Sequence, residues 1–204
     1  MKRILLLIML LASFGANSQI KWNIVANVGT GSPKAKYKVD KTELNRIKSG
    51  YQFNGDLGAR YDLNNLYFQA TVGYNRYDNK FEVDRGTPPD PSIPKDFPNQ
   101  VLQVLQLPII VGYAYHNSSK FYPLMEVGVI LNYTLDIQNG LSPIEENKFF
   151  PSFSGRVGAG YDLNNKLSLE LKGVFAQTLD ISKQDFLTYS YQVVGVQLTA
   201  VYKL

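Results

Sequence analysis

The chain has 204 residues, with 21 Lys and Arg against 17 Asp and Glu, a formal net charge of +4, and no cysteine. Its 45% hydrophobic content excludes a disordered chain, and the missing cysteine excludes a disulfide scaffold, a thiolate metal site and a lipid-modified N-terminal Cys. Tyr 14 and Phe 11 against Met 3 favour strands over helices, and the length suits one large all-β domain.

At the N-terminus, Lys2 and Arg3 precede the apolar run Ile4 to Ala12, followed by the small-residue site Ala16-Asn17-Ser18. This is the charged, apolar and cleavage pattern of a secretory signal peptide, predicted over residues 1–18. The run is too short for a transmembrane helix, which needs about 20 residues. Cleavage leaves 19 basic against 17 acidic residues, a net +2. Half of the basic character goes with the signal segment, and export argues against a nucleic-acid partner.

Period-two alternation then predicts eight strands. The first sets Ile20, Trp22, Ile24, Ala26 and Val28 against Lys21, Asn23 and Asn27. The second sets Tyr51, Phe53, Leu57, Ala59 and Tyr61 against Gln52, Asn54, Asp56 and Arg60. The third has Leu66, Phe68, Ala70, Val72 and Tyr74 on one face, with Gln69, Thr71 and Asn75 opposite. In the fourth, Leu105, Leu107, Ile109, Val111, Tyr113 and Tyr115 share the apolar face. The fifth opposes Phe121, Met125, Val127, Val129, Leu131 and Tyr133 to Glu126 and Asn132. The sixth opposes Phe149, Phe153, Val157, Ala159 and Tyr161 to Ser152, Ser154 and Arg156. In the seventh, Leu167, Leu169, Leu171 and Phe175 face away from Ser168, Glu170 and Lys172. In the eighth, Val194, Val196, Leu198, Ala200 and Tyr202 face away from Gln197, Thr199 and Lys203.

No Asp, Glu, Lys or Arg falls on any apolar face. The connections alternate between tight turns (62–65, 116–119, 162–165) and long joins near 31–49, 78–99, 136–148 and 178–188. One tight turn closes a repeat: Gly58-Ala59-Arg60-Tyr61-Asp62-Leu63-Asn64-Asn65 returns as Gly158-Ala159-Gly160-Tyr161-Asp162-Leu163-Asn164-Asn165. Both copies carry Asx turn chemistry, which places the two turns on the same side. Aromatics on the apolar face form two girdles, one near each end of the strands. Together these features predict residues 19–204 as an eight-stranded antiparallel up-and-down transmembrane β-barrel, with termini and short turns in the periplasm and long loops outside.

The stretch Leu105-Gln106-Leu107-Pro108-Ile109-Ile110-Val111-Gly112-Tyr113, followed by a hairpin and the strand Tyr122 to Leu135, resembles the fourth-strand pattern of small outer-membrane β-barrel proteins of Bacteroidetes. These form the porin-family or outer-membrane β-barrel domain group. The resemblance spans the mature chain in architecture and implies assembly by the barrel-insertion machinery. The ending Tyr202-Lys203-Leu204 departs from the commoner terminal Phe. Pro108 cannot donate to a ladder, so a bulge or pause is expected there.

The inward charges are Asp56, Arg60, Glu126, Arg156, Glu170 and Lys172, three of each sign. The interior of an eight-stranded barrel is just wide enough for side chains to fill. Charges placed there must pair. The expectation is a salt-bridge network that plugs the lumen; a narrow gated channel is the alternative reading. The basic join near 31–49 carries Lys34, Lys36, Lys38, Lys41, Arg46 and Lys48 against Asp40 and Glu43, and is a candidate contact for lipopolysaccharide phosphates. Asp40 and Glu43 resemble a capping box, which predicts a short helix over Lys41 to Ser49. The join at 78–99 holds five of the ten prolines and has a net charge of −2, a stiff protrusion suited to a surface partner.

The only histidine, His116, falls in a predicted periplasmic turn, on the wrong side for chemistry on the outer leaflet. With one His and no Cys, no enzyme, metal or cofactor is expected. The reading is a monomeric outer-membrane protein with a structural or surface-interaction role. A channel, or an accessory subunit of an outer-membrane secretion or motility apparatus, stands as the alternative.

Overall fold

The computed structural model describes residues 21–39, 42–44, 47–81, 100–117, 119–138, 148–179, 181 and 187–204. The predicted signal peptide lies outside these residues. Among the described residues nine strands run in chain order: β1 (Lys21–Val39), β2 (Thr42–Leu44), β3 (Ile47–Leu63), β4 (Leu66–Phe81), β5 (Gln100–Ala114), β6 (Phe121–Gln138), β7 (Phe149–Asp162), β8 (Leu167–Thr178) and β9 (Leu187–Lys203). The eight long strands pair antiparallel in succession, β1 with β3 past the three-residue β2, which itself pairs only with β1, and β1 pairs with β9 from Asn23↔Lys203 to Val39↔Leu187. The sheet therefore closes into an eight-stranded barrel without a free edge.

Alternation decides which face each residue takes, as the sequence pattern required. Trp22, Leu57, Val72, Leu107, Val127, Val157, Leu171 and Val196 are exposed on the outside, as are nearly all the girdle aromatics. Their inward neighbours Asn23, Asp56, Thr71, Gln106, Glu126, Arg156, Lys172 and Gln197 are buried. The barrel is thus apolar outside and polar inside, the reverse of a soluble barrel.

The lumen is layered along its axis. Near the short turns, Tyr67, Ala114, Tyr122 and Leu124 form a small apolar cluster. Charged residues and then amides follow. At the long-loop end, Tyr77, Leu102, Val104, Phe150, Ile181, Tyr191 and Val193 pack together inside the barrel, with Tyr77 and Tyr191 stacked at 5.2 Å. This second cluster has no counterpart in the sequence reading.

Two expectations, the helix over Lys41 to Ser49 and the loop at 31–49, are corrected. The predicted helix over Lys41 to Ser49 is absent: Thr42–Leu44 is strand β2, paired Val39↔Thr42 to Tyr37↔Leu44, and β3 starts at Ile47. A helix that short is marginal alone, whereas the β1–β9 ladder continues through Val39 and satisfies the backbone there. For the same reason the join at 31–49 is mostly strand. At Pro108, where a bulge or a pause is expected, the structure has the pause. The β4–β5 pairs Ala70↔Ile109 and Gly73↔Gln106 keep one register across the gap, while Pro108 still pairs with Ile130 on the other side. Finally, the two copies of the repeat make different turns. Leu63 pairs with Leu66 across a two-residue loop in which Asn64 is left-handed (φ 56°). In the second copy Lys166 is an extra residue, and the Asn164 Oδ1 accepts from the backbone N–H groups of Lys166 and Leu167. Both turns lie at the same end of the barrel.

Candidate functional site

Five of the six predicted inward charges meet in one layer. β6 and β7 place Glu126 directly opposite Arg156, and alternation on β8 points both Glu170 and Lys172 inward. The Lys172 ammonium lies 2.5 Å from Glu126 and 2.9 Å from Glu170. Arg60 Nη1 reaches Glu170 at 2.6 Å, and its Nε lies 3.2 Å from Asp62. Arg156 reaches Glu126 at 3.3 Å. Lys172 and Glu170 are both 0% exposed. Two carboxylates at the centre are shared by three cations, and the chain of contacts runs across the lumen.

Asp56, the sixth, stands apart from these ion pairs. It accepts hydrogen bonds from Asn27 and from Gln106 (3.4 Å). Behind each donor stands another. Thr199 donates to Asn27, Asn75 donates to Gln106, and Gln52 donates to Asn75. Two relays of aligned dipoles converge on one carboxylate and stabilise its charge without a cation.

Sequence reasoning missed two tyrosines in this layer. Tyr67 donates to Glu126 at 2.6 Å, and the Arg60 guanidinium lies 3.4 Å over its ring. Tyr122 donates to Glu170 at 3.2 Å. The signal was available: each occupies an odd step between two outward residues, Leu66 and Phe68 for Tyr67, Phe121 and Pro123 for Tyr122. Both rings lie over a glycine on the adjacent strand, in the register pairs Tyr67↔Gly112 and Tyr122↔Gly160.

At the short-turn mouth, Asn23 donates to Asp62 (2.6 Å), and Asp162 accepts from Ser168 (2.5 Å) and Lys203 (2.8 Å). His116 is exposed there, its ring 4.1 Å from that of Tyr122. Partial burial lowers its pKa from the ordinary histidine value, with Asp162 opposing the shift.

Of the basic residues singled out near the outer rim, Lys34 is exposed on β1. Lys36 and Lys38 follow it on β1, and Lys48 lies on β3 in register with Lys80. Lys41 and Arg46 lie outside the described residues. Among the described residues no cluster of His, Asp and Glu is arranged to hold a metal ion.

A closed antiparallel barrel with a lipid-compatible exterior and a polar interior defines an integral outer-membrane protein, because only closure satisfies every backbone group within a bilayer. The chain belongs to the outer membrane protein beta-barrel domain family, which matches residues 4–203. Among solved structures, it is similar in fold to OprG from Pseudomonas aeruginosa. That match has TM-score 0.55 and 15% identity, covering 91% of this chain and 96% of that one. It is also similar to Neisserial surface protein A, with TM-score 0.51 and 16% identity, covering 86% and 95%. No curated protein sequence matches it. The protein is a small eight-stranded barrel of the outer membrane.

Proposed function

We propose that this is a non-enzymatic barrel whose lumen is closed by its charged layer, and that it serves a structural or surface-interaction role in the outer membrane. The observation that carries this reading is the commitment of the central ions to one another. Glu126 engages Lys172, Arg156 and Tyr67, and Glu170 engages Lys172, Arg60 and Tyr122, all buried. Separating such pairs to admit an ion strands charges at a cost of several kcal/mol. The apolar cluster at the long-loop end adds a second closure. In planar bilayers the wild-type protein is expected to show no resolved single-channel steps, and Glu126→Ala none either. Reproducible ohmic steps from the wild type would overturn the plug and establish a channel.

The same reading assigns the basic outer rim to lipopolysaccharide phosphates. Lys34 supports it, because its outward position continues the face of Trp22, Ile24, Ala26 and Val28 toward the outer leaflet. Replacing Lys34, Lys36 and Lys38 by Gln is expected to remove any preference for lipopolysaccharide-containing over phospholipid-only vesicles. Equal partitioning of the wild type into both would refute the assignment.

A further inference from the structure

Arg156 is the least compensated cation of the layer. Arg60 is within ion-pair distance of Glu170 and Asp62, and Lys172 of Glu126 and Glu170, whereas among the described residues Arg156 has only Glu126 at 3.3 Å, an acceptor it shares. Its Nε is buried with no hydrogen-bond partner among the described residues, although the side chain is only 4% exposed. The amide nitrogen of Gln197, 3% exposed, is likewise without a partner. Unmet buried donors are costly, so two on the wall of one space call for a ligand.

That space exists. A cavity of about 40 Å³ lies in the lumen on the long-loop side of the ion pairs, and both Arg156 and Gln197 line it. Ser152 and Thr178 line it too. Each of their hydroxyl oxygens accepts a bond, from the Asn132 amide and from the Tyr191 N–H, which leaves the hydroxyl proton of each free to donate. The lining residues include one cation and no carboxylate. Asp56, which does not line the cavity, accepts from Asn27 and from the lining residue Gln106. A volume of this size holds about two or three waters, and equally one small dehydrated anion.

We propose that this cavity is a binding site for a small monovalent anion of the halide class, held by Arg156 and Gln197 with the Ser152 and Thr178 hydroxyls completing the donor set. The anion gives Arg156, whose Glu126 contact is shared with Lys172, a counterion of its own. It stands whether or not the lumen conducts.

The test uses the full barrel refolded into lipid vesicles, with thermal unfolding read as loss of the heat-modifiable band. Chloride is titrated against gluconate at constant ionic strength. The wild type is expected to show a saturable upward shift of its unfolding midpoint. Gln197→Glu places a carboxylate on the same wall. It is expected to raise the midpoint in gluconate and to abolish the chloride dependence. No chloride-dependent shift in the wild type would overturn the proposal in favour of water alone. A shift that persists unchanged in Gln197→Glu would overturn it in favour of action elsewhere. Should that variant fail to fold, crystals of the wild type grown in bromide decide: an anomalous peak between Arg156 and Gln197 is expected, and its absence refutes the site.

Discussion

Glu126 is a single carboxylate that accepts from a lysine, an arginine and a tyrosine. Neutralising it leaves Lys172 and Arg156 with unbalanced charge in the interior. Glu126→Gln keeps the shape but is expected to lower unfolding stability by about 3–5 kcal/mol, the typical cost of breaking a buried pair from one side. Asp56→Asn, which disturbs neutral donors only, is expected to cost less. Urea unfolding in vesicles, followed by the fluorescence of the single tryptophan, Trp22, on the outer face, measures both. Equal losses would mean that the ion pairs carry no special weight. The sequence made the inward charges legible, since alternation alone assigns their face. It did not reveal who pairs with whom, because Arg60 and Glu170 are 110 residues apart and meet only once the barrel closes. Asp56 shows the limit: its sign and face matched the others, yet its partners are amides.

At the scale of elements, tyrosine–glycine pairs across strands do what a single strand cannot show. A Cβ on Gly112 runs into the ring of Tyr67, and one on Gly160 into the ring of Tyr122. Each ring can reach its glutamate only because the neighbouring strand offers no side chain. Gly112→Ala is therefore expected to displace Tyr67, break its bond to Glu126 and cost about 1–3 kcal/mol through overpacking. In the Tyr67→Leu background the same alanine is expected to cost much less, so a double-mutant cycle in urea should show strong coupling. Additive losses would place the strain elsewhere. The repeat hinted at this arrangement without disclosing it. Its one mismatch sets Arg60 in one copy against Gly160 in the other, an arginine beneath one tyrosine and a bare backbone beneath the second. Local signals misled where the sheet overrode them, as at Asp40 and Glu43, whose capping pattern lost to the β1–β9 ladder.

At the scale of the molecule, the eight barrel strands, their faces and the common end of the short turns were readable, because period two and charge exclusion survive without tertiary context, whereas the run of β1 on to Val39 and the short β2 were not. The apolar cluster at the long-loop end was not. In Val101-Leu102-Gln103-Val104-Leu105 both faces are apolar, and Leu135 is an extra residue in the β5–β6 pairing opposite Gln103 and Val104, so parity cannot assign a side. Inside the bilayer, the inverted distribution sets opposite rules for the two faces. Val157 is 67% exposed on the outer surface and alternates with the buried Arg156. An arginine one step further along the strand therefore changes solvent from lumen to lipid. Val157→Arg is expected to lower folding free energy in lipid vesicles by about 2–4 kcal/mol, the cost of that side chain near the midplane. Asn165→Arg, in the exposed short turn, is expected to leave it within about 0.5 kcal/mol of wild type. On a water-facing surface both substitutions would be equally mild. Equal tolerance in vesicles would therefore show that the band around Val157 does not face lipid, and a loss confined to Val157→Arg ties the apolar exterior to the membrane through a single residue.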